Sequence, residues 1–95
     1  MKYAIYGFDG PEGEVKRKLY RAEHLRRLEE LDATGRVVLA GPLTDKCGSL
    51  IVIEAASLAD AEAFALSDPY MVHGVFERIE VHPFQQVLPK DNRQT

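Results

Sequence analysis

His24 and Asp68 have side-chain types suited to acid–base chemistry, and the sequence around each gives a local reason for it to be held in place. An imidazole exchanges protons near neutral pH, and a carboxylate on one ring nitrogen fixes which nitrogen carries the proton. Asp68 lies in Ser67-Asp68-Pro69-Tyr70-Met71-Val72-His73-Gly74. Pro69 fixes its own φ and steers Asp68 away from helical backbone, so a helix stops before Asp68 and a new turn starts at Pro69. Asp68 is then the N-cap of that turn, a role worth about 1 kcal/mol. His24 belongs to an earlier helix, where it stacks with Leu28 and Leu31 at i, i+4 and i+7, Arg17 and Arg21 preceding it on that side. Two blander readings compete: a packed or edge histidine beside leucines, and a cap with no further duty.

Arg17 and Arg21 are candidates to hold an anionic substrate, against the alternative of solvation or pairing with Glu14 and Glu23 nearby. Gly41-Pro42 marks a corner open on at least one side, where a cavity could adjoin the second ring nitrogen of His24. His73 and His82 read as surface residues. Three histidines and one cysteine at scattered positions match no zinc spacing, so no metal is expected. Cys47 is not read as a nucleophile, because only Lys46 in its loop would lower its pKa. No cofactor motif is present.

The elements that must bring His24 and Asp68 together follow from periodicity. Lys2 to Phe8 alternates as a strand, with Tyr3, Ile5 and Gly7 on one face and Ala4, Tyr6 and Phe8 on the other. Asp9-Gly10-Pro11-Glu12-Gly13 is turn chemistry, and helical spacing runs from Val15 to Thr34, stopped by Gly35, with Leu25 and Ala22 widening the apolar stripe. Arg36 to Gly41 is a short strand ended by Gly41-Pro42, and Leu43 to Gly48 is a loop. Ser49 to Ala55 is apolar at every central position, as in a central strand buried on both faces. Ser57 caps a second helix that runs to Asp68, with Asp60 in a capping-box position. Val75 to Phe84 is a half-exposed strand closed by Pro83. The order βαββαβ predicts an α+β, ferredoxin-like fold: an antiparallel sheet with both helices on one face.

One domain over residues 1–86 and a polar tail over 87–95 fit this length, the last residues being expected to be disordered or to cross onto a partner. The open sheet face is apolar, which predicts a homodimer whose two sheets close a shared barrel. A formal charge of -3 gives no global attraction to nucleic acid, although Arg17, Lys18, Arg21, Arg26 and Arg27 cluster. No apolar run approaches the about 20 residues needed to span a bilayer, and no secretory signal is read, so a cytoplasmic protein is expected.

Arg21-x-x-His24-Leu25, Ala40-Gly41-Pro42-Leu43, Ala61, Asp68-Pro69-Tyr70 with Gly74, and Val81-x-Pro83-Phe84 together resemble the YciI-like (YCII-related) family over residues 1 to about 86. The order and spacing of these motifs carry the resemblance. It implies a dimeric α+β barrel and a His–Asp pair in a pocket, falling here on His24 and Asp68; beside that pair, Arg17, Arg21, Gly41, Pro42 and Tyr70 are expected about the substrate. A relative of similar fold is a dehydrochlorinase acting on a chlorinated hydroxyhydroquinone; muconolactone isomerase shares the barrel but not the motifs. The resulting expectation is a cofactor-independent elimination or isomerisation of a small anionic or phenolic molecule. A non-catalytic ligand-binding or assembly module of the same fold is the competing reading.

Overall fold

The computed structural model describes residues 1–90. The expectation for the end of the tail, residues 91–95, lies outside them. In chain order the elements are β1 (Lys2–Asp9), α1 (Gly13–Asp32), β2 (Val37–Pro42), β3 (Gly48–Glu54), α2 (Leu58–Leu66), α3 (Pro69–Val72) and β4 (Phe76–Phe84). The four strands make one antiparallel sheet in the order β2-β3-β1-β4, the ferredoxin-like arrangement.

Register explains which side chains the helices cover. Tyr3 faces Ile53, Ile5 faces Ile51 and Gly7 faces Ser49, so the odd positions of both central strands share one face. Tyr3, Ile5, Ile51 and Ile53 pack there with Leu28 of α1 and with Ala61 and Ala65 of α2. The alanines matter because a small residue at i and i+4 lets α2 lie close to the sheet. Val52, on the opposite face, is also buried, as expected for a central strand.

Several local expectations shift. Helix α1 closes at Asp32 rather than Thr34, because its end tightens: Thr34 N donates to Leu31 O and Gly35 N to Asp32 O, i→i+3 bonds, before Gly35 turns with φ +76°. Leu25 and Ala22 do not widen a buried stripe; both are exposed, since α1 meets the sheet along His24 and Leu28. Pro42 is the last residue of β2, as expected, but proline does not break the ladder on either edge strand. Pro42 still pairs with Ser49, and Leu43 N donates to Gly48 O, so the position lacking an N–H points away from β3. Pro83 likewise lies inside β4, paired with Tyr3 on the other sheet edge. Ser57 caps α2 as expected, its Oγ accepting from Asp60 N at 3.1 Å.

A register shift between Phe8 and Asp9 has the largest consequence for the site. Phe8 pairs with Arg78 but Asp9 with Phe76, leaving Glu77 as the extra residue of a bulge. Strict alternation would put Phe76 on the open face with Arg78 and Glu80. The bulge turns it to the helix side, where it is buried with Tyr70 and Val75. Its ring takes the space over Gly7, where a Cβ would come within 2.4 Å of it. Close approach is also built in at Gly48, where a Cβ would lie 1.9 Å from the carbonyl oxygen of Gly7. Gly48→Ala must therefore push two paired backbones apart, and we expect a loss of about 1–3 kcal/mol, read by urea denaturation.

Candidate functional site

The end of α2 and the start of α3 place the carboxylate. After Leu66 the chain leaves the helix at Ser67, and Asp68 adopts extended backbone (φ -60°, ψ 132°) before Pro69. Oδ1 of Asp68 accepts from Tyr70 N at 2.8 Å, the N-cap bond that the Asp-Pro pair foretells. The same oxygen meets Nδ1 of His24, also at 2.8 Å. Both side chains are buried. An ionised carboxylate offers only lone pairs, so Nδ1 is assigned as the donor, which leaves Nε2 as the unprotonated nitrogen of the neutral ring. Nε2 has no hydrogen-bond partner among the described residues.

Tyr70 locks the imidazole plane. Its ring lies 3.8 Å from the His24 ring at an interplanar angle of 5°, and meets Phe76 edge-on at 5.6 Å. Burial pushes the Tyr70 phenol up, against the opposing pull of Arg17 and Arg21, so it stays protonated at neutral pH. On the far side of Asp68, Arg27 donates to Ser67 Oγ and stacks over Phe64 at 4.0 Å. Burial pushes its guanidinium down, while the charge of Asp68 opposes that shift.

A cavity of about 530 Å³ opens between α1 and β2, and His24, Tyr70 and Ser49 form part of its wall. Charge is graded along it. Arg17, Lys18 and Arg21 line the part contributed by the first half of α1, Leu25 and Leu28 the middle, and Glu29 and Asp32 the part near its end. Gly41 and Pro42 lie in the opposite wall, as expected, but the room does not come from the missing Cβ. Gly41 pairs with Leu50, whose side chain is on the face away from the helices, and a Cβ at Gly41 would meet nothing within 4 Å. The gap between helix and edge strand makes the space.

The two arginines differ. Arg17 pairs neither with Glu14 nor with Glu23. Its Nε donates to Asp9 Oδ2 at 2.7 Å and one terminal nitrogen donates to Asp9 Oδ1 at 2.8 Å and to Ser49 Oγ at 2.9 Å. Hydrogen bonding to Asp9 raises the Arg17 pKa further. Arg21 is exposed and makes no ion pair among the described residues, and the same holds for Lys18, so the cavity's first half carries two cations not spent on a protein carboxylate. Asp9 and Ser49 were hidden in the sequence as a turn residue and a strand end. A carboxylate closing a strand eight residues before an arginine on the inward helix face was the available signal.

The other candidates stand apart from the cavity. His73 is exposed, stacked on Tyr20 at 3.9 Å, and His82 is exposed beside Glu80. Cys47 is exposed, and its hydrogen bond to Asp45 pushes the thiol up, away from the reactive thiolate. No helix among the described residues is long and apolar enough to cross a membrane.

The chain as a whole resembles known proteins. Protein YciI of Escherichia coli O6:H1 is 37% identical over 98 aligned positions, covering 93% of this chain and all of that protein, and Protein YciI of Shigella flexneri matches equally. Among solved structures, the 5-chloro-2-hydroxyhydroquinone dehydrochlorinase TftG of Burkholderia phenoliruptrix AC1100, in complex with 2,5-dihydroxybenzoquinone, superposes with a TM-score of 0.78 at 29% identity, covering 90% of this chain and 94% of that one. The YCII-related domain model matches residues 1–85, nearly all of the sheet and helices that assemble this cavity, and the chain therefore belongs to the YCII-related family.

Proposed function

We propose that this protein is a cofactor-independent enzyme that performs an elimination or isomerisation on a small anionic or phenolic molecule, with His24 as the proton-transfer group and Asp68 as its orienting partner. The observation that carries the reading is the buried 2.8 Å contact between them at the wall of a cavity of about 530 Å³. Nε2 accepts a proton from a substrate O–H or C–H bond and the electron pair left behind forms a new π bond; in an elimination the leaving group departs with its own bonding pair, and in an isomerisation the adjoining π bond breaks and its electron pair takes the proton back from Nε2 at its far atom. The reading is supported by TftG, whose name specifies a dehydrochlorinase and whose complex holds a small quinone. Arg21 binds the anionic group, and Glu29 and Asp32 repel it from the other end, which fixes the direction in which a ligand lies. Tyr70, a neutral phenol, offers a hydroxyl to the ligand, and Gly41 and Pro42 close the wall.

The test is a thermal-shift and turnover screen of small phenols and acids, including 5-chloro-2-hydroxyhydroquinone with chloride release as readout. Turnover of a member of the panel supports the enzyme; saturable binding with no turnover of any member overturns it in favour of a binding module. Arg21→Met is expected to raise the Kd of 2,5-dihydroxybenzoquinone about fivefold by calorimetry and to flatten its salt dependence, in line with a charge-assisted bond of about 1 kcal/mol.

The same reading includes a cytoplasmic homodimer joined through the open sheet face. Tyr6, Leu39, Phe84 and Leu88 leave apolar surface exposed beside a second cavity of about 690 Å³ between that face and residues 86–90. Sedimentation at micromolar concentration is expected to give a dimer; a monodisperse monomer removes this part of the proposal.

A further inference from the structure

We propose that Asp9 and Arg17 form a positioning pair for the histidine, acting through the ring of Tyr70. The proposal rests on the reading of His24 as the proton-transfer group, but its test requires no turnover.

Each link is a short contact. The Arg17 guanidinium is planar, and three hydrogen bonds, two to Asp9 and one to Ser49 Oγ, fix its plane. Asp9 is itself anchored from two directions. Its N–H donates to Cys47 O at 3.0 Å, and Gly13 leaves the room its carboxylate occupies, since a Cβ there would lie 2.8 Å from Oδ2. Thus fixed, Arg17 lies 5.1 Å from the centroid of Tyr70 and 5.7 Å from that of Phe76. Arg17 and His24 are seven residues apart on one face of α1, about 10 Å of rise, which accommodates an aromatic ring in contact with both. Tyr70 takes that place, 3.8 Å from the imidazole and parallel to it.

The imidazole can leave its plane by turning about its Cα–Cβ or Cβ–Cγ bond. Asp68 restrains one edge through Nδ1, and Tyr70 restrains the face. The Tyr70 backbone is tied to the same Asp68 oxygen, but its ring is held by Phe76, His24 and Arg17. Freeing Arg17 loosens the ring, and a loosened ring lets the imidazole tilt off the carboxylate. Because Arg17 spends its fork on Asp9 and Ser49, it acts as a positioning residue, and the anion falls to the cations that are not so spent.

The test reads the tautomer of His24 in the ligand-free protein by long-range ¹H–¹⁵N correlation, at alkaline pH where the ring is neutral. The parent is expected to show one tautomer, with the proton on Nδ1. Asp9→Asn and Arg17→Lys, the latter keeping charge and stem but losing the fork, are expected to show comparable populations of both tautomers while still melting cooperatively. Arg78→Ala, which removes an exposed pair with Glu80, is the control and is expected to match the parent. Retention of a single Nδ1-protonated tautomer in both folded variants overturns the proposal, as does a mixture in the parent. If Asp9→Asn does not fold, Arg17→Lys decides it alone. A catalytic role for His24 fails separately, through undiminished turnover in a His24 variant.

Discussion

On the proposed acid–base role, His24→Gln is expected to lower turnover of the panel phenol or acid that the parent converts by about 10²–10⁴-fold, the range that general acid–base groups supply, while that compound still binds. Glutamine keeps polarity and much of the length but cannot take up a proton at neutral pH. The separation of binding from turnover follows from the site: Arg21 lines the cavity apart from the imidazole, and Tyr70 keeps Phe76 and Arg17 against its ring when the imidazole is replaced, so most ligand contacts survive the change. Steady-state kinetics beside calorimetry reads both. If kcat stays within threefold of the parent, the imidazole is a packed wall residue and the acid–base reading is wrong. If binding disappears together with turnover, His24 is a ligand contact first and the direction of the proposed proton transfer loses its support.

Asp68→Ala has the largest expected effect on stability. As a cap alone it would cost about 1 kcal/mol. The structure adds a second burden, because the oxygen that caps Tyr70 N also receives the buried Nδ1–H of His24. Removing it leaves two donors unmet, one on an imidazole with almost no exposure, and an unsatisfied buried donor costs about 1–3 kcal/mol. The expected total is about 2–4 kcal/mol, on the order of 10–20 °C in Tm for a chain of this size. Asp68→Asn keeps the cap oxygen and is expected to lose less than half as much. Thermal melts of both variants check it. A loss of only about 1 kcal/mol in Asp68→Ala would mean that the His24 contact contributes nothing net, as exposed pairs such as Arg78–Glu80 are expected to do.

Several features of this protein were settled by residues near one another in sequence. Alternation in Lys2–Phe8, the unbroken apolar run Leu50–Ile53, the Ser57 cap and the Asp68-Pro69 stop each follow from the steric and hydrogen-bonding limits of a few adjacent residues, and with the element order they determine the antiparallel sheet with its helices on one face. Helical periodicity also put His24 on the inward side of α1 with Arg17 and Arg21. What the tertiary structure alone decided concerns partners distant along the chain. Which carboxylate takes Arg17 depends on where β1 ends relative to the first turns of α1, so Asp9 replaced the nearer Glu14 and Glu23. Whether Phe76 faces in or out depends on a single extra residue in the β1–β4 ladder, because a shift of one position exchanges the two faces of a strand. The cavity arises from the spacing between α1 and the edge strand β2, a distance that depends on how Leu28 packs α1 onto the sheet and that no local pattern encodes.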